Sequence, residues 1–148
     1  PAGPDHAQVA ACAGMADYFD SLANHHSIQG LPSARMAGVH DLMRAHETTL
    51  LQPLLDFLSA RNDLRLLGPR NAENRAPTVA LDLGRDPAPI AQALAAKGIN
   101  AGAGDFYAVR ALEGQGVNSK RGVLRLSFVH YTSVDEIDAL IAALDSVL

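Results

Sequence analysis

The chain has 148 residues, the size of one ordinary domain, and 48% of them are apolar, enough to bury a core. A formal charge of −4 with scattered arginines excludes the basic footprint of a nucleic-acid binder and the polybasic run of a membrane-surface protein. The single cysteine, Cys12, excludes an intrachain disulfide framework and suits a cytosolic protein, and no apolar segment approaches the ~20 residues of a membrane span.

Residues 5–23, "DHAQVAACAGMADYFDSLA", read as a helix with Asp5 as N-cap. Val9, Cys12, Ala13, Ala16 and Phe19 fall near one face, which makes Cys12 a small apolar core thiol. The loop "NHHSIQGLPS" follows, with Ser33 placed to cap a long helix from about 34 to 59. Met36, Val39, Leu42, Met43, Leu50, Leu54 and Phe57 recur in helical spacing there, and Pro53 is expected to kink it. "DLRLLGP" (63–69) and "PTVALDL" (77–83) are short strand candidates. "RDPAPIAQALAAKGI" is a helix with Asp86 as N-cap, Pro87 in its first turn and Lys97 and Gly98 at its end. "INAGAG" reads as a short strand entering a glycine bend, "DFYAVRALEGQG" as room for a short helix, and "VNSKRG" as a turn. Ser133 and Glu136 form a capping box for a last helix, with Val134, Ile137, Ile141 and Leu144 on its inner face.

Two long helices thus precede a β–β–α–β–β–α pattern. Short connections favour an α+β fold, a small and mostly antiparallel sheet with helices packed on one face.

The strand "GVLRLSFV" (122–129) raises a chemical question. Alternation puts Leu124, Leu126 and Phe128 on one face, and Val123, Arg125, Ser127 and Val129 on the other. A guanidinium at the centre of an apolar strand is costly unless it is partnered. Either Arg125 pairs with an acid such as Asp82 or Glu73, or snorkels to the edge, or its face lines a cleft where it grips an anion. The fixed fork of a guanidinium matches a carboxylate bidentately.

Other chemistries find less support. His40 and His46 are six residues apart and do not stack as i, i+4 ligands, and no metal site is expected. "AGAGDFYA" (101–108) lacks the G-x-G-x-x-G pattern and reads as a tight turn, and no nucleophile elbow is present.

Taken together, "APTVALDL", "PAPIAQALAAKGINAGAGDFYAVRALEGQGV" and "GVLRLSFVHYTSVDEIDALIAAL" resemble the C-terminal part of a class V aminotransferase, most closely the cysteine-desulfurase-like subgroup. The opening "AGPDHAQVAACAGMADYF" resembles that family's "GTPN" segment and the helix after it. The resemblance implies a fold-type I, pyridoxal-phosphate-dependent homodimer whose small C-terminal domain closes the active site against a large cofactor-binding domain. It further implies that Arg125 holds an amino-acid carboxylate and that the loop from Gly102 to Tyr107 covers the substrate, with Asp105 or Tyr107 near its side chain.

The chain departs from the family pattern at three places. Its only lysines, Lys97 and Lys120, stand in no Schiff-base motif, so no catalytic residue is expected within 1–148 and no cofactor is expected to bind this chain alone. Tyr107 occupies the place of the desulfurase nucleophilic cysteine. Gly3 stands where a threonine would reach the cofactor phosphate of the neighbouring subunit, leaving only its backbone N–H. The start at "PAGPDH", without methionine, agrees with one C-terminal domain of a longer protein whose large domain is missing. The alternative is a stand-alone α+β module for ligand binding, regulation or dimerisation, without catalysis.

Overall fold

The computed structural model describes Gly3 and residues 5–148; Pro1, Ala2 and Pro4 lie outside the described residues. The chain divides into two compact units, residues 1–45 and 46–148, which are taken one at a time.

In the first unit, helix α1 runs His6–His25, with the Asp5 carboxylate accepting the Ala7 N–H at 3.0 Å and the Gln8 N–H at 3.4 Å. Helix α2 spans Pro32–Ser59 and begins in this unit. The Leu31 carbonyl accepts its first intrahelical bond, from the Arg35 N–H at 3.0 Å. Ser33 is therefore inside the helix rather than its cap; Pro32, with its preset φ and no N–H to satisfy, starts it instead. Arg35 fastens the α1–α2 corner, donating to the Asp20 carboxylate at 3.0 Å, Asn24 Oδ1 at 3.0 Å and the Ile28 carbonyl at 3.2 Å. Val9, Cys12, Ala13 and Ala16 are exposed, which corrects the expected buried face and core thiol. Alanine's helix propensity is enough to form such a segment, so the pattern marks a helix without supplying a partner for its face.

In the second unit, α2 continues as one helix through the exposed Pro53 and buries Leu50, Leu51, Leu54, Leu55 and Leu58. Strand β1 is Arg65–Leu67 and β2 is Thr78–Asp82, with a single 3-10 turn at Ala72–Asn74 between them. Arg75 holds this connection, donating to the carbonyls of Leu67, Pro69 and Thr78. Helix α3 is Ala88–Ala95. Asp86 still caps it by accepting the Ala88 N–H at 3.0 Å, and Gly98 at φ +80° closes it, with the Ile99 N–H on the Leu94 carbonyl. Then come β3 (Gly102–Gly104), α4 (Val109–Gly114), β4 (Val123–Ser127) and α5 (Val134–Val147).

The sheet order is β1-β2-β4-β3 with every neighbouring pair antiparallel, as the α+β reading expects. Alternation divides its residues between two faces. Val79, Leu81, Leu124 and Leu126 join the leucines of α2, Ile90 and Leu94 of α3, and Ile137, Leu140 and Leu144 of α5 in the main core. Val134 stays outside this core, 57% exposed, because the capping turn holds it at the first helical position, beyond the sheet's reach. The opposite face is only partly covered. The short α4 supplies Leu112, which with Val117 packs on Leu67 and Val123. No helix among the described residues is long and apolar enough to cross a membrane.

Candidate functional site

The uncovered part of that second face centres on Arg125. Its cross-strand partners are Ala80 on β2 and Gly102 on β3, the two smallest residue types, so neither neighbouring strand shades the guanidinium. Arg125 is exposed, and no ion pair joins it to a carboxylate among the described residues. Asp82, one of the acids weighed as its partner, is held by two other arginines: Arg121 at 2.6 Å and Arg65 at 3.3 Å. Burial by itself would push the Asp82 carboxyl up, but the Gly84 N–H and the two guanidinium groups outweigh it and hold the carboxyl below its ordinary range.

Arg125 instead lies over an aromatic ring. Its Cζ is 4.0 Å from the centroid of Phe106, within cation–π range. The loop that delivers this ring is strained. Phe106 has φ +52° and Tyr107 φ +59°, two consecutive non-glycine residues in the left-handed region, at roughly 1–2 kcal/mol each. Local bonds offset part of this cost: Asp105 accepts the Tyr107 N–H on its carboxylate at 3.1 Å, and its carbonyl accepts the Ala108 N–H at 2.8 Å. Gly102 makes room for the ring, since a Cβ there would stand 2.8 Å from Phe106 Cζ.

The residues expected at the site are thus placed unequally. Arg125 projects from the open face. Asp105 turns back to brace its own loop, and Tyr107 is fully exposed. Gly3 belongs to the other unit and has nothing within 4 Å of where a Cβ would lie, so it forms no cradle among the described residues. The residue that sequence reasoning passed over is Phe106. An aromatic four residues after a glycine facing the arginine was the available signal, but its left-handed turn is not readable locally. One step along the same face, Thr78 Oγ1 donates to Ser127 Oγ at 3.3 Å. A cleft of about 690 Å³ opens elsewhere, between the end of α3 and α5, lined by Lys97, Phe128, Ile137, Leu140 and Ala143; Arg125 is not on it.

A sequence model of the family described as Aminotransferase class-V matches residues 33–140. The aminotransferase-like protein FGM3 of Gibberella zeae is 31% identical over 113 residues, which are 73% of this chain and 28% of that protein. Among solved structures, the apo cysteine desulfurase from Thermococcus onnurineus NA1 superposes with a TM-score of 0.64 at 22% identity, over 78% of this chain and 30% of that one. The cysteine desulfurase CsdA from Escherichia coli gives 0.61 at 25% identity, over 78% and 29%. The chain therefore spans less than a third of the length of these relatives.

Full-length enzymes of that family imply pyridoxal phosphate. The residues present here do not fit it. An imine-forming lysine must reach the carbon next to the carboxylate that Arg125 would hold. Lys97 instead lines the cleft on the helix-bearing side of the sheet, and Lys120 is exposed in the turn before β4.

Proposed function

Because the chain belongs to the aminotransferase class-V family, we propose that it is the C-terminal, small domain of a longer pyridoxal-phosphate enzyme, in which Arg125 binds the carboxylate of an amino-acid substrate. The cofactor and its lysine belong, in this reading, to a large domain outside residues 1–148, and the complete enzyme is a cytosolic homodimer. The observation that carries the reading is the guanidinium of Arg125, exposed on the open sheet face between Ala80 and Gly102, with no acid beside it among the described residues.

This chain's own contribution is binding and orientation. The Arg125 fork donates to both carboxylate oxygens and so fixes the direction of the substrate's α-carbon. The loop 102–107 stands beside that position; the Phe106 ring fills the space at Gly102, and Ala80 on the other side leaves room for a carboxylate. Tyr107 in place of a cysteine directs the reading away from persulfide chemistry by the usual route, with transamination, β-elimination and desulfuration as the reaction types.

The test uses the product of the complete gene, by intact mass and by visible absorption after addition of pyridoxal phosphate. A chain several times this length that develops a protein-bound cofactor band supports the reading. Arg125→Ala should then weaken L-amino-acid binding by at least about 2 kcal/mol, roughly thirtyfold. A product of about this length with no band, or unchanged affinity in Arg125→Ala, overturns it.

A further inference from the structure

The stack beneath Arg125 has a consequence for how that arginine works. A free arginine side chain samples many rotamers, and ordering it on binding costs affinity. Here the guanidinium carbon of Arg125 lies over the Phe106 ring, 4.0 Å from its centroid. Stacking through a face leaves the in-plane N–H edge open, and that edge is the one that meets a carboxylate bidentately. The molecule accepts two unfavourable backbone conformations, at Phe106 and Tyr107, to keep the ring there. It also keeps a glycine at 102, the β3 residue opposite Arg125, where any side chain would strike that ring.

We propose that Phe106 is a positioning residue that holds the Arg125 guanidinium flat and presents its N–H edge to the substrate carboxylate, with Gly102 as the space the ring requires. The inference rests on the carboxylate-binding reading of Arg125 and adds the device that orders it. Phe106 acts through Arg125 and needs no contact with substrate. The loop's other functional candidates, Asp105 and Tyr107, are not what aligns the arginine.

The experiment measures calorimetric affinities of the purified complete gene product for L-alanine and L-cysteine, each beside its decarboxylated counterpart, ethylamine and cysteamine. Phe106→Leu should lose about two- to fivefold for the amino acids, the size of an exposed cation–π contact, with no change for the amines. Phe106→Tyr, which keeps the ring, should restore wild-type affinity. In an Arg125→Ala background, Phe106→Leu should have no further effect on the amino acids. Equal losses for amino acids and amines, or a loss in Phe106→Tyr as large as in Phe106→Leu, would mean that the ring only supports the loop, and would overturn the inference while leaving the role of Arg125 intact. If Arg125→Ala itself leaves amino-acid affinity unchanged, the carboxylate reading falls and the positioning role with it.

Discussion

Replacing Asp82 by asparagine probes whether the arginines of the open face are divided between structure and recognition as the geometry indicates. The Asp82 side chain is only 11% exposed and takes a hydrogen bond from Arg121 at 2.6 Å, from Arg65 at 3.3 Å and from the Gly84 N–H at 3.0 Å. An asparagine keeps an oxygen for Gly84 but removes the charge. The partly buried Arg121 bond contributes about 1.5–3 kcal/mol as a hydrogen bond to a charged group. Arg65 is half exposed, and its bond adds at most a few tenths after solvent screening. Asp82→Asn should therefore cost about 2–3 kcal/mol, a substantial share of a domain's total stability. The sign of the pH dependence follows from the depressed carboxyl. Its contribution is fully present above the ordinary value of 3.8 and is lost as pH falls through the lower, folded-state value. Urea unfolding followed by circular dichroism should show the full difference at about pH 7 and a difference that shrinks once the pH falls below 3.8. A difference under about 0.5 kcal/mol at neutral pH, or one that stays constant on acidification, would refute the reasoning. The same variant should leave the carboxylate affinity of Arg125 unchanged, since Asp82 belongs to the other two guanidinium groups.

Two further substitutions examine how the sheet edge and the last helix are held. Gly122→Ala would place a Cβ 2.5 Å from the carbonyl carbon of Gly104, at φ +75°, where the three nearest atoms all belong to the Gly104 backbone and cannot yield. It should cost about 2–4 kcal/mol from overpacking and left-handed strain together, and hydrogen exchange at the β3 amides should accelerate first. Ser133→Ala removes the oxygen that accepts the Glu136 N–H at 3.2 Å, while Glu136 still holds the Ser133 N–H at 2.7 Å. About 1 kcal/mol of stability should be lost, read as a fall of roughly 2–4 °C in the thermal midpoint.

Short-range signals were legible in the residues themselves. The Asp5 cap, the Ser133–Glu136 capping box, the Gly98 stop and the alternation that sends Arg125 away from Leu124 and Leu126 all act within about five residues. Such interactions form wherever the segment is placed, so the sequence alone determined the elements, the antiparallel α+β arrangement and the odd arginine. Tertiary structure decided the rest. Arg121 and Arg65, rather than Arg125, meet Asp82 because β2 lies between β1 and β4 in a particular register. The ring of Phe106 reaches Arg125 only because β3 pairs with β4 so that Gly102 faces the arginine and the chain then turns through two left-handed residues. Cys12 and Val134 show the converse: an apolar residue in helical spacing is buried only if another element arrives to cover it. Strand order, register and coverage are contacts between residues far apart in the chain, and no local preference encodes which distant side chain will arrive.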